Sequence, residues 1–183
     1  MYASILQKVS TTSSQRPDPL RGSRDRHAAI STVRLRRDVP TEIRTLGALE
    51  NADYADIVTA TIEDTPPEPE RLVHATVDEM PRWLRLLIIF VQRVFLGLRL
   101  EWRASPDHLL GWKIADRDEN WVRIETASWF MTAHVLMHVD EGRISVATFI
   151  RYDRRLAAFV WPPVAIVHRQ VALTLVRRGI QAL

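Results

Sequence analysis

"MTAHVLMHVDEGRISVATFIRY", residues 131 to 152, is the stretch that decides the fold. Alternating apolar residues on both sides of the turn "DEGR" (140 to 143) predict a β-hairpin. In this register Val139 faces Ile144, and Met137 faces Val146. One face of the hairpin is then almost wholly apolar and consists of Ala133, Val135, Met137, Val139, Ile144, Val146, Thr148 and Ile150. The opposite face is predicted to be wet and carries His134, His138, Ser145 and Arg151.

A long C-terminal helix is predicted to cover the apolar face of this hairpin. The segment "PPVAIVHRQVALTLVRRGI" (162 to 180) places Pro163 in the first turn of that helix and Gly179 near its end. One stripe of the helix should pack on the sheet; its members are Val160, Val164, Val167, His168, Val171 and Leu175.

The rest of the chain supplies further strands and helices. "YADIVTATI" (54 to 62) predicts a strand, and the segment that ends at Met80 predicts a helix, which Pro81 terminates. "HLLGWKIA" and "WVRIET" flank the turn "DRDEN" and predict a second hairpin. This order indicates an α+β fold in which a curved antiparallel sheet grips a long C-terminal helix, with a helical insertion after the first strand.

The most hydrophobic stretch of the chain is "MPRWLRLLIIFVQRVFLGLRL" (80 to 100). Its longest uncharged apolar run, "LLIIFV", is far shorter than the roughly 20 residues that a membrane span requires. At 100° per residue its polar side chains fall in one sector and comprise Arg82, Arg85, Gln92, Arg93 and Arg99. The pattern predicts a mostly buried helix that closes one side of an apolar cavity and shows one arginine stripe to water.

Composition limits the classes of function. The chain has no cysteine, which excludes disulfides and thiolate metal sites and is compatible with the cytoplasm, where we expect the protein to reside. The first 40 residues carry a net charge of +5 and the remainder a net charge of −2, so we expect no nucleic-acid partner for the folded part. Residues 1–38 are predicted to be a disordered Arg/Ser-rich extension, and residues 39–183 a single domain.

Four segments together resemble a known bacterial family. "DYADIVTA" (53 to 60), "SPDHLLGW" (105 to 112), "ATFIRYD" (147 to 153) and "VWPPVAIVHR" (160 to 169) are similar, in this order, to the family catalogued as domain of unknown function 2867. That resemblance implies a START-like, helix-grip (SRPBCC-type) domain. The superfamily encloses an apolar cavity between sheet and terminal helix; its members bind lipids and other hydrophobic molecules, and some are cyclases or hydrolases. It implies no specific reaction for this chain.

His168 is the foremost candidate for chemistry, because it interrupts a valine and leucine stripe that should face the sheet. It is predicted to be a hydrogen-bonded core residue, a ligand contact or an acid–base catalyst, and the sequence leaves these alternatives open. Further candidate ligand contacts, each with core packing or surface exposure as the alternative, are Trp83, Phe90, Trp112, Met137 and Tyr152. We predict no metal site and no cofactor, because no metal-binding or nucleotide-binding motif is present.

Three hypotheses follow from the sequence. The first is a protein that binds a hydrophobic small molecule or lipid between sheet and helix. The second is a cyclase or isomerase that uses the same cavity, with His168 as acid or base. The third is a peripheral membrane or partner-binding module, in which helix 80–100 and the basic extension touch an anionic surface. The oligomeric state and the identity of the ligand are left open.

Overall fold

The computed structural model describes residues 30–62, 68–78, 80–101, 107–109 and 111–181. Its strands are β1 (Ile30–Arg36), β2 (Tyr54–Ile62), β3 (His108–Leu109), β4 (Trp112–Asp118), β5 (Trp121–Ala127), β6 (Met131–Asp140) and β7 (Arg143–Tyr152). Its α-helices are α1 (Thr41–Gly47), α2 (Pro69–Asp78), α3 (Arg82–Phe90) and α4 (Arg155–Gln181), and a π-helical turn (Val91–Phe95) continues α3.

The strands form one antiparallel sheet in the order β1-β2-β7-β6-β5-β4-β3. The predicted register of the β6–β7 hairpin is confirmed, since Val139 pairs with Ile144 and Met137 pairs with Val146. The predicted strand at residue 54 is β2. The second predicted hairpin is confirmed as β4–β5, but its first arm was predicted as one strand from residue 108, whereas His108–Leu109 form the separate strand β3, which pairs with β4. The predicted turn at 116 to 120 is also shorter in the structure, because β4 continues to Asp118. The fold is therefore α+β, with a curved seven-stranded sheet and a long C-terminal helix, and is consistent with a helix-grip arrangement.

Helix α4 begins earlier than its prolines predict. It starts at Arg155, so that Pro162 and Pro163 lie inside it rather than in its first turn. A proline leaves the carbonyl four residues earlier without its helical partner. Those carbonyls belong to Ala158 and Phe159, which are exposed and can be solvated by water. The helix therefore tolerates two prolines on its solvent side.

The face that α4 turns to the interior is also rotated from the predicted stripe. Its buried residues are Ala157, Trp161, Ala165, Val176, Gly179 and Ile180. Val167, which was expected to face the sheet, is 62% exposed, and Val160 and Val164 are partly exposed. Small alanine and glycine side chains let the backbone of α4 approach its neighbours, which the largest apolar residues of the stripe would prevent.

Helix α4 packs over β1, β2 and β7 and against α2. The contact with α2 is close at Gly179, where a Cβ atom would lie 2.1 Å from Thr76 Oγ1. Gly179 therefore serves helix packing, since α4 continues past it to Gln181. Because α4 lies toward one side of the sheet, it does not extend over all of its strands. The helix-facing sides of β4, β5 and the central strand β6 need to be covered by other parts of the chain.

The outer face of the β6–β7 hairpin is largely covered, so the prediction that it is wet was wrong. Helix α1 packs there, and Phe149 is buried beneath it. A Cβ atom on Gly47 would lie 2.3 Å from the Phe149 ring, so only glycine permits this approach. His134 is also buried, with Nδ1 2.9 Å from the Gly47 carbonyl oxygen. The sequence pattern missed α1 because its seven residues bear only a short apolar stripe.

Part of the predicted disordered extension is a strand. Residues 30–36 form β1, which pairs with β2 at one edge of the sheet, so the prediction was wrong for this segment. Backbone hydrogen bonds to β2 supply the partner that the charged composition did not reveal, and Val33 and Leu35 pack against the core. The prediction for residues 1–29 lies outside the described residues.

Helix α3 is not mostly buried, contrary to prediction. Neither α3 nor the π-helical turn contains a buried residue, and Trp83 is 67% exposed. The predicted exposure of its arginines is confirmed at Arg82, Arg85 and Arg93. Apolar periodicity showed that one face of α3 is hydrophobic, but in the part of the chain that the structure describes the large side chains of that face remain exposed.

Candidate functional site

An accessible apolar surface lies on the helix-facing side of the sheet. Val135 occupies the central strand β6 and is nevertheless only partly buried, as is its cross-strand partner Ile124 on β5. Val160 and Val164 of α4 are also partly buried and pack against the same core cluster. We call this surface, formed by Ile124, Val135, Val160 and Val164, the hollow. Central residues of a fully covered sheet face would be buried, so the hollow indicates incomplete packing between sheet and helix.

A cluster of polar side chains borders the hollow. It comprises Tyr54 and Asp56 from β2, Thr148 from β7 and His168 from α4, and we call it the polar cluster. Thr148 pairs across the strands with Val135, which places the cluster beside the hollow. Strand alternation puts Tyr54, Asp56 and Val58 on one face of β2, so that a carboxylate lies among apolar residues.

Hydrogen bonds join the members of the polar cluster. Asp56 is only 2% exposed, and the Tyr54 hydroxyl donates to its Oδ2 atom. His168 Nε2 lies 3.1 Å from Thr148 Oγ1, within hydrogen-bond distance, and 4.0 Å from Asp56 Oδ1. A buried carboxylate is costly without a partner, and the hydrogen bond from Tyr54 helps to accommodate Asp56 in the interior.

The environment favours a neutral His168. Burial lowers the pKa of the imidazole, the Asp56 carboxylate partly offsets this, and the Arg169 guanidinium lowers the pKa further. A neutral ring carries one donor and one acceptor nitrogen at neutral pH. The His168 side chain is 26% exposed, so another molecule can reach it.

Tyr54 remains a hydrogen-bond donor throughout the physiological range. Burial and the hydrogen bond to Asp56 raise the pKa of its hydroxyl far above the ordinary value. Two cations lie nearby: the Arg37 guanidinium is 5.6 Å from the centre of the Tyr54 ring, and Arg169 acts on the hydroxyl electrostatically. The polar cluster thus combines one acid group with a tyrosine donor, a hydroxyl and a neutral imidazole.

Trp161 forms an aromatic wall of the polar cluster. Its ring centre lies 5.4 Å from that of Tyr54, edge to face, and 5.5 Å from that of His168. Its Nε1 atom is buried and has no hydrogen-bond partner among the described residues. An unsatisfied buried donor costs about 1–3 kcal/mol, which makes this the least satisfied point of the site.

The candidate ligand contacts predicted from sequence are only partly brought together. Trp112 and Tyr152 belong to the core cluster that includes the hollow, and the Trp112 indole donates a long, 3.4 Å hydrogen bond to Gln92 Oε1. Met137 is buried in the neighbouring cluster. Trp83 and Phe90 lie on the exposed side of α3 and belong to neither cluster.

Sequence reasoning missed three members of the polar cluster: Tyr54, Asp56 and Thr148. A signal for Asp56 was present, because it shares a strand face with Val58 and Ala60, where a lone carboxylate is unusual. Within the described ranges, no group of three or more His, Asp or Glu side chains is arranged to hold a metal ion. The side chains of the polar cluster supply hydrogen-bond donors and acceptors.

Comparisons with protein-family models, curated proteins and solved structures gave no match. The resemblance to the bacterial family stays a prediction. By length and composition alone, α4 is the one helix of the described residues that could cross a membrane. In the structure, however, one face of α4 packs against the sheet and α2.

Proposed function

We propose that this protein binds a hydrophobic small molecule or lipid in the hollow, with a polar group of the ligand at His168. The observation that carries the proposal is the partial exposure of Val135 in the central strand, directly beside the polar cluster. A solvent-accessible apolar surface next to a few convergent polar groups is the usual composition of a small-molecule site. The resemblance to START-like domains points to the same class of ligand.

The chemistry of the site restricts the ligand. Its apolar body would cover Ile124, Val135, Val160 and Val164, at about 25 cal/mol for each Å² removed from water. A neutral His168 can donate to a carbonyl or accept from a hydroxyl, whereas the adjacent Asp56 carboxylate disfavours an anionic group. We therefore expect an apolar molecule with an uncharged polar end, such as an alcohol, a ketone or an ester.

Native mass spectrometry of the full-length protein purified under gentle conditions tests this proposal. We expect an adduct of one small molecule, which organic extraction releases for identification. The variant Val135→Phe adds bulk within the hollow and should abolish the adduct. Val167→Phe makes the same change on the exposed side of α4 and should retain it. Equal retention in both variants would refute the hollow as the binding surface.

A second function, acid–base catalysis on the bound molecule, is favoured by the surroundings of His168. A neutral, reachable imidazole that lies 4.0 Å from a buried carboxylate can take up a proton, and the carboxylate stabilises the resulting charge. The variant His168→Gln separates the two functions. If the molecule released from wild type differs in mass, chromatographic retention or NMR spectrum from that held by the variant, the protein transforms its ligand. If the two molecules are identical in all three, it only binds; mass alone does not decide, because an isomerisation leaves it unchanged.

A further inference from the structure

Helix α3 and the π-helical turn after it present a continuous apolar surface to solvent. Its large side chains are between 48% and 67% exposed; they are Trp83, Leu86, Leu87, Phe90, Val94 and Phe95. We call this surface the α3 face. Single exposed apolar residues are ordinary, but six on one side of a helical segment mark an interaction surface.

The exposure of the α3 face is not the fraying of a loose segment. Met80 before the helix and Leu96 and Leu98 after it are buried in the core. Gln92, on the π-helical turn, accepts the hydrogen bond from the Trp112 indole on β4. The segment is thus fixed at both ends and along its inner side, and the body of the protein holds the α3 face outward.

Every charged residue within residues 80 to 100 is basic. Residues 80 to 100 contain Arg82, Arg85, Arg93 and Arg99, all exposed, and no aspartate or glutamate. A second copy of the chain docked face to face would bring arginines against arginines, which is unfavourable. An anionic bilayer complements both features of the α3 face. Its phosphates pair with the arginines, and its acyl region accepts the apolar side chains.

We propose that the α3 face docks on the surface of an anionic membrane, with the helix lying in the interfacial plane. Tryptophan and phenylalanine suit the boundary between headgroups and acyl chains. The surface continues to Trp129, which is 61% exposed and lies beside Gly97 at the end of this segment. The Arg154 guanidinium lies 5.8 Å from the centre of the Trp129 ring and adds a further cation there.

The docking surface and the hollow are structurally connected. Leu96 and Leu98, which follow the α3 face, pack in the same core cluster as Val135 and Val164. Docking would therefore hold the hollow close to the bilayer, from which an apolar ligand can be taken. The docking proposal does not depend on that use, and its experiment contains no ligand.

Vesicle flotation of the full-length protein tests the proposal, with vesicles of phosphatidylcholine alone or mixed with phosphatidylglycerol. We expect salt-sensitive binding to the mixed vesicles. The double variant Leu86→Glu with Phe90→Glu should lose this binding. Ile166→Glu with Val167→Glu is the matched control, because these α4 residues are 61% and 62% exposed, against 67% and 53% for Leu86 and Phe90. The control should float like wild type.

A second pair of variants tests the contribution of charge. A basic residue near an anionic surface contributes about 1 kcal/mol, so Arg82→Gln with Arg85→Gln should weaken binding roughly 30-fold. Arg177→Gln with Arg178→Gln removes two exposed charges from the end of α4 and should leave affinity almost unchanged. Equal losses in both pairs would mean that net charge, rather than this helix, determines binding.

Three further results would overturn the proposal. The first is no binding of wild type to mixed vesicles at low salt. The second is undiminished binding of the Leu86→Glu, Phe90→Glu variant, which would assign the membrane contact to the basic residues 1–40 or another surface. The third is a dimer in analytical ultracentrifugation that this variant dissociates, which would make the α3 face a contact between copies. Circular dichroism of each variant confirms that the fold is retained.

Discussion

Removal of the Tyr54 hydroxyl isolates the hydrogen bond on which the buried carboxylate depends. In Tyr54→Phe the ring stays in place and keeps its edge-to-face contact with Trp161, 5.4 Å between ring centres. The variant therefore removes the donor to Asp56 and little else. His168 lies 4.0 Å from the other carboxylate oxygen and cannot replace that donor without movement.

The expected cost follows from the burial of Asp56. A hydrogen bond to a charged group contributes about 1.5–3 kcal/mol, and Asp56, at 2% exposure, has almost no access to compensating water. We expect the free energy of unfolding to fall by about 2 kcal/mol. For a chain of this length that corresponds to a decrease in Tm of roughly 4–8 °C.

Urea unfolding followed by circular dichroism measures this loss. Tyr152→Phe is the matched control, because Tyr152 is partly buried nearby and belongs to the same core cluster; it should cost less than about 0.5 kcal/mol. A double-mutant cycle of Tyr54→Phe with Asp56→Ala should give a coupling energy above about 1 kcal/mol. A Tyr54→Phe variant as stable as wild type, or a coupling near zero, would refute the reading of Asp56 as a carboxylate held by Tyr54.

Two further predictions concern pH and packing. Burial lowers the pKa of His168 below its value in the unfolded chain, so the unfolded state gains a proton first as pH falls. Stability should decline as pH decreases below about 6.5, by at most about 1.4 kcal/mol per pH unit for this group. His168→Gln should flatten the decline in urea titrations between pH 7 and about pH 5. Parallel curves for wild type and His168→Gln would contradict the assignment. Gly179→Ala places a Cβ atom 2.1 Å from Thr76 Oγ1 and should lower the free energy of unfolding by about 1–3 kcal/mol in the same assay. The additional substitution Thr76→Ala should recover part of this loss. Full stability of the Gly179→Ala variant would show that α2 and α4 are not in close contact.

Much of the sheet could be predicted because strand periodicity is local. The alternation in residues 131 to 152 fixes which side chains share a face, because a slip of one residue would move every side chain to the opposite face. The register of β6 and β7 followed directly. By contrast, β1 is held by pairing to β2, and α1 by the space that Gly47 leaves against Phe149, so neither is evident from its own residues.

The candidate site could be predicted only in part, for the same reason. His168 was identifiable as a polar residue in an apolar stripe, but its partners come from β2 and β7, far away in the chain. Asp56 is buried where Tyr54 donates a hydrogen bond to it, and that contact is not evident from the residues beside it in the sequence. Trp83 and Phe90 were predicted to contact a ligand because they lie on the apolar face of an amphipathic helix. Amphipathicity shows that one face of a helix is apolar, but it does not show which part of the protein packs against that face.

The sequence by itself determined the α+β class, the β6–β7 hairpin with its register, and the presence of a long C-terminal helix, because these depend on periodicity and turn residues within short segments. Only the tertiary structure decided which face of α4 is buried, where the hollow remains and which polar groups surround it. Those outcomes depend on close approach between distant segments, set by small residues such as Ala165 and Gly179. The outward orientation of the α3 face is likewise tertiary, since Met80 and Leu98 fix the segment while nothing in the described chain covers it.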